Sequence, residues 1–185
     1  MDEFFFGYGS LVNRQTHDYP DAMPATIRGW RREWRRSLAF GRTFLSAVPD
    51  PDATIDGMVA RVPGADWAAL DAREAGYDRH PVPPEHLTTE GPVLAQIYAI
   101  APHASLPACP AHPIRLSYLD VVVAGFLTEY GAAGVARFFQ STTGWIAAQD
   151  DRAAPQYARA RPVSPDVQTL VEDWLSRISV ARYRG

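Results

Sequence analysis

Within Ala101–Pro113 the chain carries Pro102, Pro107, Pro110 and Pro113. Proline lacks a backbone N–H and fixes φ, so this segment can be neither a continuous helix nor a central strand. It therefore divides the chain. Residues 1–100 carry mainly strand patterns and residues 114–185 mainly helical ones, and each part is short for a core of its own. The full 185 residues suit the ~100–200 residues usual for one domain. The expectation is a single α+β domain over 1–185, with the proline segment as a loop between a β-rich half and a helical half.

Glu3–Phe6 reads as a short buried strand running into the glycine turn Gly7-Tyr8-Gly9-Ser10. Ala25–Phe40 alternates, with Trp30, Trp34, Leu38 and Phe40 on one parity. Thr54–Val62 and Val93–Ile100 are further strand candidates. Asp66 is placed to cap a helix over Trp67–Ala75, which Gly76 ends. Ser117 with Asp120 resembles a capping box opening a helix over Tyr118–Tyr130, closed by Gly131. Gly131–Phe139 can form a short second helix. Ser164-Pro165-Asp166 pairs an N-cap with proline at the first helical position. Val167, Leu170, Val171, Trp174, Leu175 and Ile178 then recur at helical spacing.

Composition removes several kinds of chemistry. All 18 basic residues are arginine, so Schiff-base, pyridoxal-phosphate and P-loop lysine chemistry are excluded. Cys109 is the only cysteine, which excludes an internal disulfide framework and any multi-cysteine zinc site. A net charge of -3 argues against broad nucleic-acid binding. No apolar run approaches the ~18 residues of a membrane span. The acidic start Met1-Asp2-Glu3 lacks the basic region of a secretory signal, so the expected location is cytoplasmic.

Two segments stand out as candidate sites. A glycine-rich turn after a buried strand can present converging backbone N–H groups as an anion nest or oxyanion hole; the alternative is a tight turn that needs positive φ. On the helix over 67–75, Trp67, Leu70 and Glu74 share the core-facing stripe. Burial and the negative end of the helix dipole both raise a carboxylate's pKa there, and such a group can exchange protons near neutral pH. The alternative is a structural ion pair with Arg73, Arg79 or another arginine.

Other candidates are weaker. Arg28, Arg31, Arg32, Arg35 and Arg36, interleaved with Trp30 and Trp34, form a pattern compatible with single-stranded nucleic acid. Glu33 interrupts it, and a strand with inward tryptophans and solvated arginines is the plainer reading. His103, Cys109 and His112, or His80, Glu85 and His86, lack recognisable ligand spacing, so no metal is expected. Ser10 lies in no Gly-x-Ser-x-Gly elbow.

Taken together, the two leading segments resemble a known group. Phe6-Gly7-Tyr8-Gly9-Ser10-Leu11 is similar to the Tyr-Gly-Ser-Leu/Asn signature of the γ-glutamylcyclotransferase-like superfamily, and Leu70-Asp71-Ala72-Arg73-Glu74-Ala75-Gly76-Tyr77 to its second block. Ala25–Trp34 and Thr54–Val62, with Asp56-Gly57, resemble the strands between them. The match covers about residues 4–100 in order and spacing. The resemblance implies a small, mostly antiparallel β-barrel flanked by helices, acting on a small γ-glutamyl compound without metal or organic cofactor. It implies Glu74 as general base and then acid, and Tyr8, Gly9, Ser10 and Leu11 as the substrate loop. Tyr118 is a candidate pocket wall or donor. The implied reaction is release of 5-oxoproline; a non-catalytic small-ligand module on the same fold is the alternative.

Overall fold

The structure, a computed structural model, describes residues 2–184. Its strands are β1 (Glu3–Gly7), β2 (Met23–Ser37), β3 (Arg42–Val62), β4 (Asp78–Val82), β5 (Leu87–Thr88), β6 (Leu94–Ala99), β7 (Ser105–Pro107), β8 (Ile114–Arg115), β9 (Thr142–Thr143), β10 (Ala147–Asp150) and β11 (Ala181–Arg184). The α-helices are α1 (Ala68–Arg73), α2 (Leu116–Ser141) and α3 (Pro165–Arg177).

One sheet has eight strands, with the order β4-β6-β1-β3-β2-β5 and with β7 and β9 also pairing β2. The second sheet, β11-β10-β8, is parallel throughout. The α+β expectation holds, but the small, mostly antiparallel barrel does not. The large sheet is curled and mixed, and its path from β4 to β5 does not close. Its parallel pairings are β1 with β6 and β2 with β9. Both arise where the chain crosses over before returning, which parallel pairing requires.

The triple phenylalanine places β1 centrally, between β3 and β6, with Phe5 opposite Ala60 on one side and Gln96 on the other. β2 and β3 form a long hairpin whose register shifts between Arg28 and Trp30. Gly29 at the shift has φ +89, a conformation that favours glycine and suits a bulge. Ala25 and Ile27 are buried before the shift, and Arg32 and Trp34 after it. The extended strand expected to Phe40 ends at Ser37; Leu38 and Phe40 lie in the turn beyond it, half exposed. The proline segment is more than a loop, because Ser105–Pro107 pairs antiparallel with the end of β2.

Helix α2 merges the two helices expected over 118–139, and Gly131 breaks it with φ 64 and ψ −170. The capping box does not form. The helix begins at Leu116, and its N-terminal groups are held from outside: Asp151 accepts from the Ser117 N–H (2.8 Å) and the Ser117 hydroxyl (2.6 Å). Asp120 instead accepts two hydrogen bonds from Arg152. Helix α2 is long and apolar enough to cross a membrane, yet Leu119, Val122, Val123, Phe126 and Phe138 join Phe6, Val12, Met58 and Ile97 in the main core. Gly125 permits this packing, since a Cβ there would lie 2.7 Å from the backbone N of Asn13. Ser164 caps α3 by accepting from the Val167 N–H.

Candidate active site

Strand β1 delivers the glycine turn. After Gly7 the chain leaves the sheet for single 3-10 turns over Ser10–Val12 and Arg14–Thr16. Neither Gly7 nor Gly9 has positive φ, so the tight-turn alternative does not describe them. Both are sites of close approach. A Cβ on Gly7 would lie 2.4 Å from Leu11 Cβ, and one on Gly9 would lie 2.5 Å from Tyr118 Oη.

The loop is clamped from several elements. Arg32 Nε donates to the Tyr8 carbonyl at 3.1 Å, and the Tyr8 hydroxyl donates to the Tyr98 carbonyl at 2.6 Å. Asn13 Nδ2 donates to the Val121 carbonyl at 2.9 Å, and Thr16 Oγ1 to the Ser10 carbonyl at 2.9 Å. Arg32 corrects the reading of solvated arginines. It is 1% exposed, donates also to the Asp56 carbonyl and Ser141 Oγ, and packs on the Phe126 and Phe138 rings. Its parity with Trp30 and Trp34 was the available signal.

Trp67 and Leu70 are buried as the helical stripe predicts. Glu74 follows the last residue of α1, with φ −94 and ψ 29, and its N–H still donates to the Leu70 carbonyl. Its side chain is 19% exposed and lies 3.1 Å from Arg73 Nε. Arg73 also donates to the carbonyl (2.7 Å) and hydroxyl (3.2 Å) of Thr16, which fixes it beneath the 3-10 turns. Arg79 is not a partner of Glu74: it pairs with Asp71 and sits over the Trp67 ring. Burial pushes the Glu74 carboxyl above the ordinary glutamate range, outweighing the attraction of Arg73 and Arg159.

A cavity of about 600 Å³ opens beside Glu74, and Ser10, Trp34, Tyr77, Tyr118 and Tyr157 share its wall. A niche of about 40 Å³ lies against the glycine turn, lined by residues 7–11 with Glu74, Tyr77, Tyr98 and Tyr118. Ser10, Glu74, Tyr77 and Tyr118 border both spaces. The sequence-derived residues Tyr8, Gly9, Ser10, Leu11, Glu74 and Tyr118 therefore meet around the niche. Tyr77 donates to the Leu45 carbonyl at 2.9 Å, and Tyr157 packs edge-on against Tyr118 at 5.0 Å. Burial raises the pKa of Tyr8, Tyr77 and Tyr118 well above 10.0, so these phenols stay neutral donors.

Sequence reasoning missed Arg73, Tyr77, Tyr157 and Arg159 as wall residues. Arg73 and Tyr77 flank Glu74 within the second block, whereas Tyr157 and Arg159 lie in an irregular segment without local signal. His112 also lines the cavity, but among the described residues no three His, Cys, Asp or Glu side chains gather as a metal would require.

No curated protein sequence matches the chain significantly. Among solved structures, it resembles a γ-glutamyl cyclotransferase at 14% identity and TM-score 0.57, covering 94% of this chain and 99% of that one. It also resembles human protein loc79017 at 14% identity and TM-score 0.56, over 92% of this chain and 98% of the other. YkqA from Bacillus subtilis matches at 16% identity and TM-score 0.58, over 75% of this chain but 53% of YkqA. These likenesses establish a shared fold. Residues 3–112, more than half of the chain, match the model of the ChaC-like proteins, and the chain therefore belongs to the ChaC-like family of the γ-glutamylcyclotransferase-like superfamily.

Proposed function

We propose that this protein is a γ-glutamyl cyclotransferase that converts a γ-glutamyl amine or peptide into 5-oxoproline and a free amine. The observation that carries this reading is the position of Glu74. A mostly buried carboxyl with a raised pKa borders both the large cavity and the niche beneath the glycine turn.

In a γ-glutamyl compound the α-amine can close a five-membered ring on the γ-carbonyl carbon. Glu74, as carboxylate, takes a proton from the amine as the new C–N bond forms. The carbonyl oxygen becomes an oxyanion, which N–H groups of the loop around Gly9 and Ser10 stabilise. The first N–H groups of a helical turn have no partner in a preceding turn, and preorganised donors of this kind lower the barrier by ~3 kcal/mol each. The old C–N bond then breaks, and protonated Glu74 returns its proton to the departing amine. Because the reaction is intramolecular, correct folding of the substrate supplies much of the acceleration, up to ~7–11 kcal/mol in well-oriented systems. The neutral tyrosines of the wall offer hydroxyl donors without competing as bases.

The test is a panel of γ-glutamyl amines, amino acids and peptides incubated with the protein, with 5-oxoproline as the measured product. Stoichiometric release of 5-oxoproline and amine supports the reading. Binding without release across the panel would replace it with a ligand-binding role on the same fold.

A further inference from the structure

The cavity wall is unequal in charge. Glu74 is the one carboxylate among its lining residues, whereas Arg42, Arg73, Arg115 and Arg159 all line it. Three of these arginines are otherwise accounted for. Arg73 is engaged by Thr16 and Glu74. Arg115 donates to the Gln149 side-chain carbonyl. Arg42 is exposed at the start of β3. Arg159 is different. It is partly buried, and among the described residues its guanidinium makes neither an ion pair nor a hydrogen bond. It also lies close enough to attract the Glu74 carboxylate.

The segment carrying Arg159 is held on both sides. Upstream, Asp151 accepts from Ser117 and from the Gln156 N–H (2.9 Å), and Tyr157 packs on Tyr118. Downstream, Arg161 Nε donates to the Gln15 carbonyl at 3.3 Å, next to Thr16, the residue that holds Arg73. Arg159 is thus suspended between the Tyr118 wall and the Thr16–Arg73–Glu74 group. It lies outside the part of the chain that matches the family model.

The chemistry of the substrate says what such a cation meets. A γ-glutamyl group carries its α-carboxylate on the same carbon as the attacking amine. An amine within reach of Glu74 brings that second carboxylate into the same poorly hydrated space. Without a cation, the two like charges repel and hold the proton on Glu74 or on the amine. We propose that Arg159 receives the α-carboxylate of the substrate and is a specificity-determining residue of this site. This assignment rests on the cyclotransferase reading.

The test uses binding, so that it does not depend on turnover. The product 5-oxoproline keeps the α-carboxylate, and 5-oxoprolinamide replaces it with a neutral amide. Calorimetric titration of the intact protein with both should show the acid bound roughly tenfold to a hundredfold more tightly, the effect of one charge-assisted hydrogen bond. Arg159→Gln should abolish that preference, and Arg159→Lys should retain part of it. Arg42→Gln and Arg115→Gln should keep it. If Arg159→Gln retains the wild-type preference, or if Arg42→Gln or Arg115→Gln loses it instead, the assignment is overturned. Acid-selective binding that depends on Arg159, in a protein that releases no 5-oxoproline from any γ-glutamyl compound, would retain the assignment and overturn the catalytic reading. If the wild-type protein binds neither compound, the assignment falls, and the catalytic reading is decided by 5-oxoproline release alone.

Discussion

Replacing Arg32 by methionine separates two opposed electrostatic effects. The guanidinium is buried, and burial pushes its pKa down from the ordinary arginine range to about 10. At ~1.36 kcal/mol per unit, holding that charge in place costs about 3 kcal/mol. Against this stand three hydrogen bonds from a charged donor, to the Tyr8 carbonyl, the Asp56 carbonyl and Ser141 Oγ. Each such bond contributes ~1.5–3 kcal/mol, and its loss leaves a buried carbonyl unpaired. The bonds outweigh the burial cost. Arg32→Met should therefore lose about 2–6 kcal/mol of stability, measured by urea unfolding followed by circular dichroism. Activity should fall further than stability alone explains, because the Tyr8 carbonyl belongs to the substrate loop. A variant as stable as wild type, or more stable, would refute the view that Arg32 anchors the loop.

Other outcomes follow from the same structure. Gly125→Val drives a side chain toward the Asn13 backbone and should cost ~1–3 kcal/mol by overpacking, read as a lowered Tm. Asp151→Ala removes the acceptor for Ser117 and Gln156 and should cost ~1–2 kcal/mol, as lost helix caps do. Burial raises the Asp151 pKa, but these hydrogen bonds outweigh it and hold the group below the ordinary range. Its stabilisation is therefore present above the unfolded-state pKa and disappears as pH falls through the folded value, so the urea-unfolding midpoint of Asp151→Ala should change less with pH across that range than that of wild type. Glu74 has the opposite sign. Its folded pKa lies above the unfolded one, so its contribution to stability declines as pH rises between the two. The acidic limb of the kcat/KM profile should lie at higher pH than an ordinary glutamate gives, and a limb at the ordinary position would contradict the burial argument.

The parts of the fold legible in the sequence are those written in local chemistry. The triple phenylalanine, the Ser164-Pro165 start of α3 and the Trp67–Leu70 stripe each need only neighbouring residues. Glu74 was legible as an anomaly, a carboxylate on an apolar face. Arg32 is visible by parity yet reads as solvated, because nothing local shows that the aromatic rings of α2 and two distant carbonyls will receive it. Leu38 and Phe40 misled for a related reason: parity counted on from Trp34 ignores the end of β2 at Ser37 and the turn after it. The first part of β3 was hidden by Pro49 and Pro51. The far wall of the cavity was not legible, since Tyr157 and Arg159 are placed by the bonds from Asp151 across to Ser117 rather than by any local pattern. Short strands such as β5, β7 and β9 exist only through their pairing with β2.

The account rests on Glu74 as the group that moves the proton. Its most direct test is 5-oxoproline release by Glu74→Gln beside wild type, on whichever γ-glutamyl compound wild type turns over fastest. Loss of general acid–base catalysis lowers rates by ~10²–10⁴, so turnover should fall by at least the lower figure while binding of 5-oxoproline persists. A Glu74→Gln protein that releases 5-oxoproline at close to the wild-type rate would contradict the account.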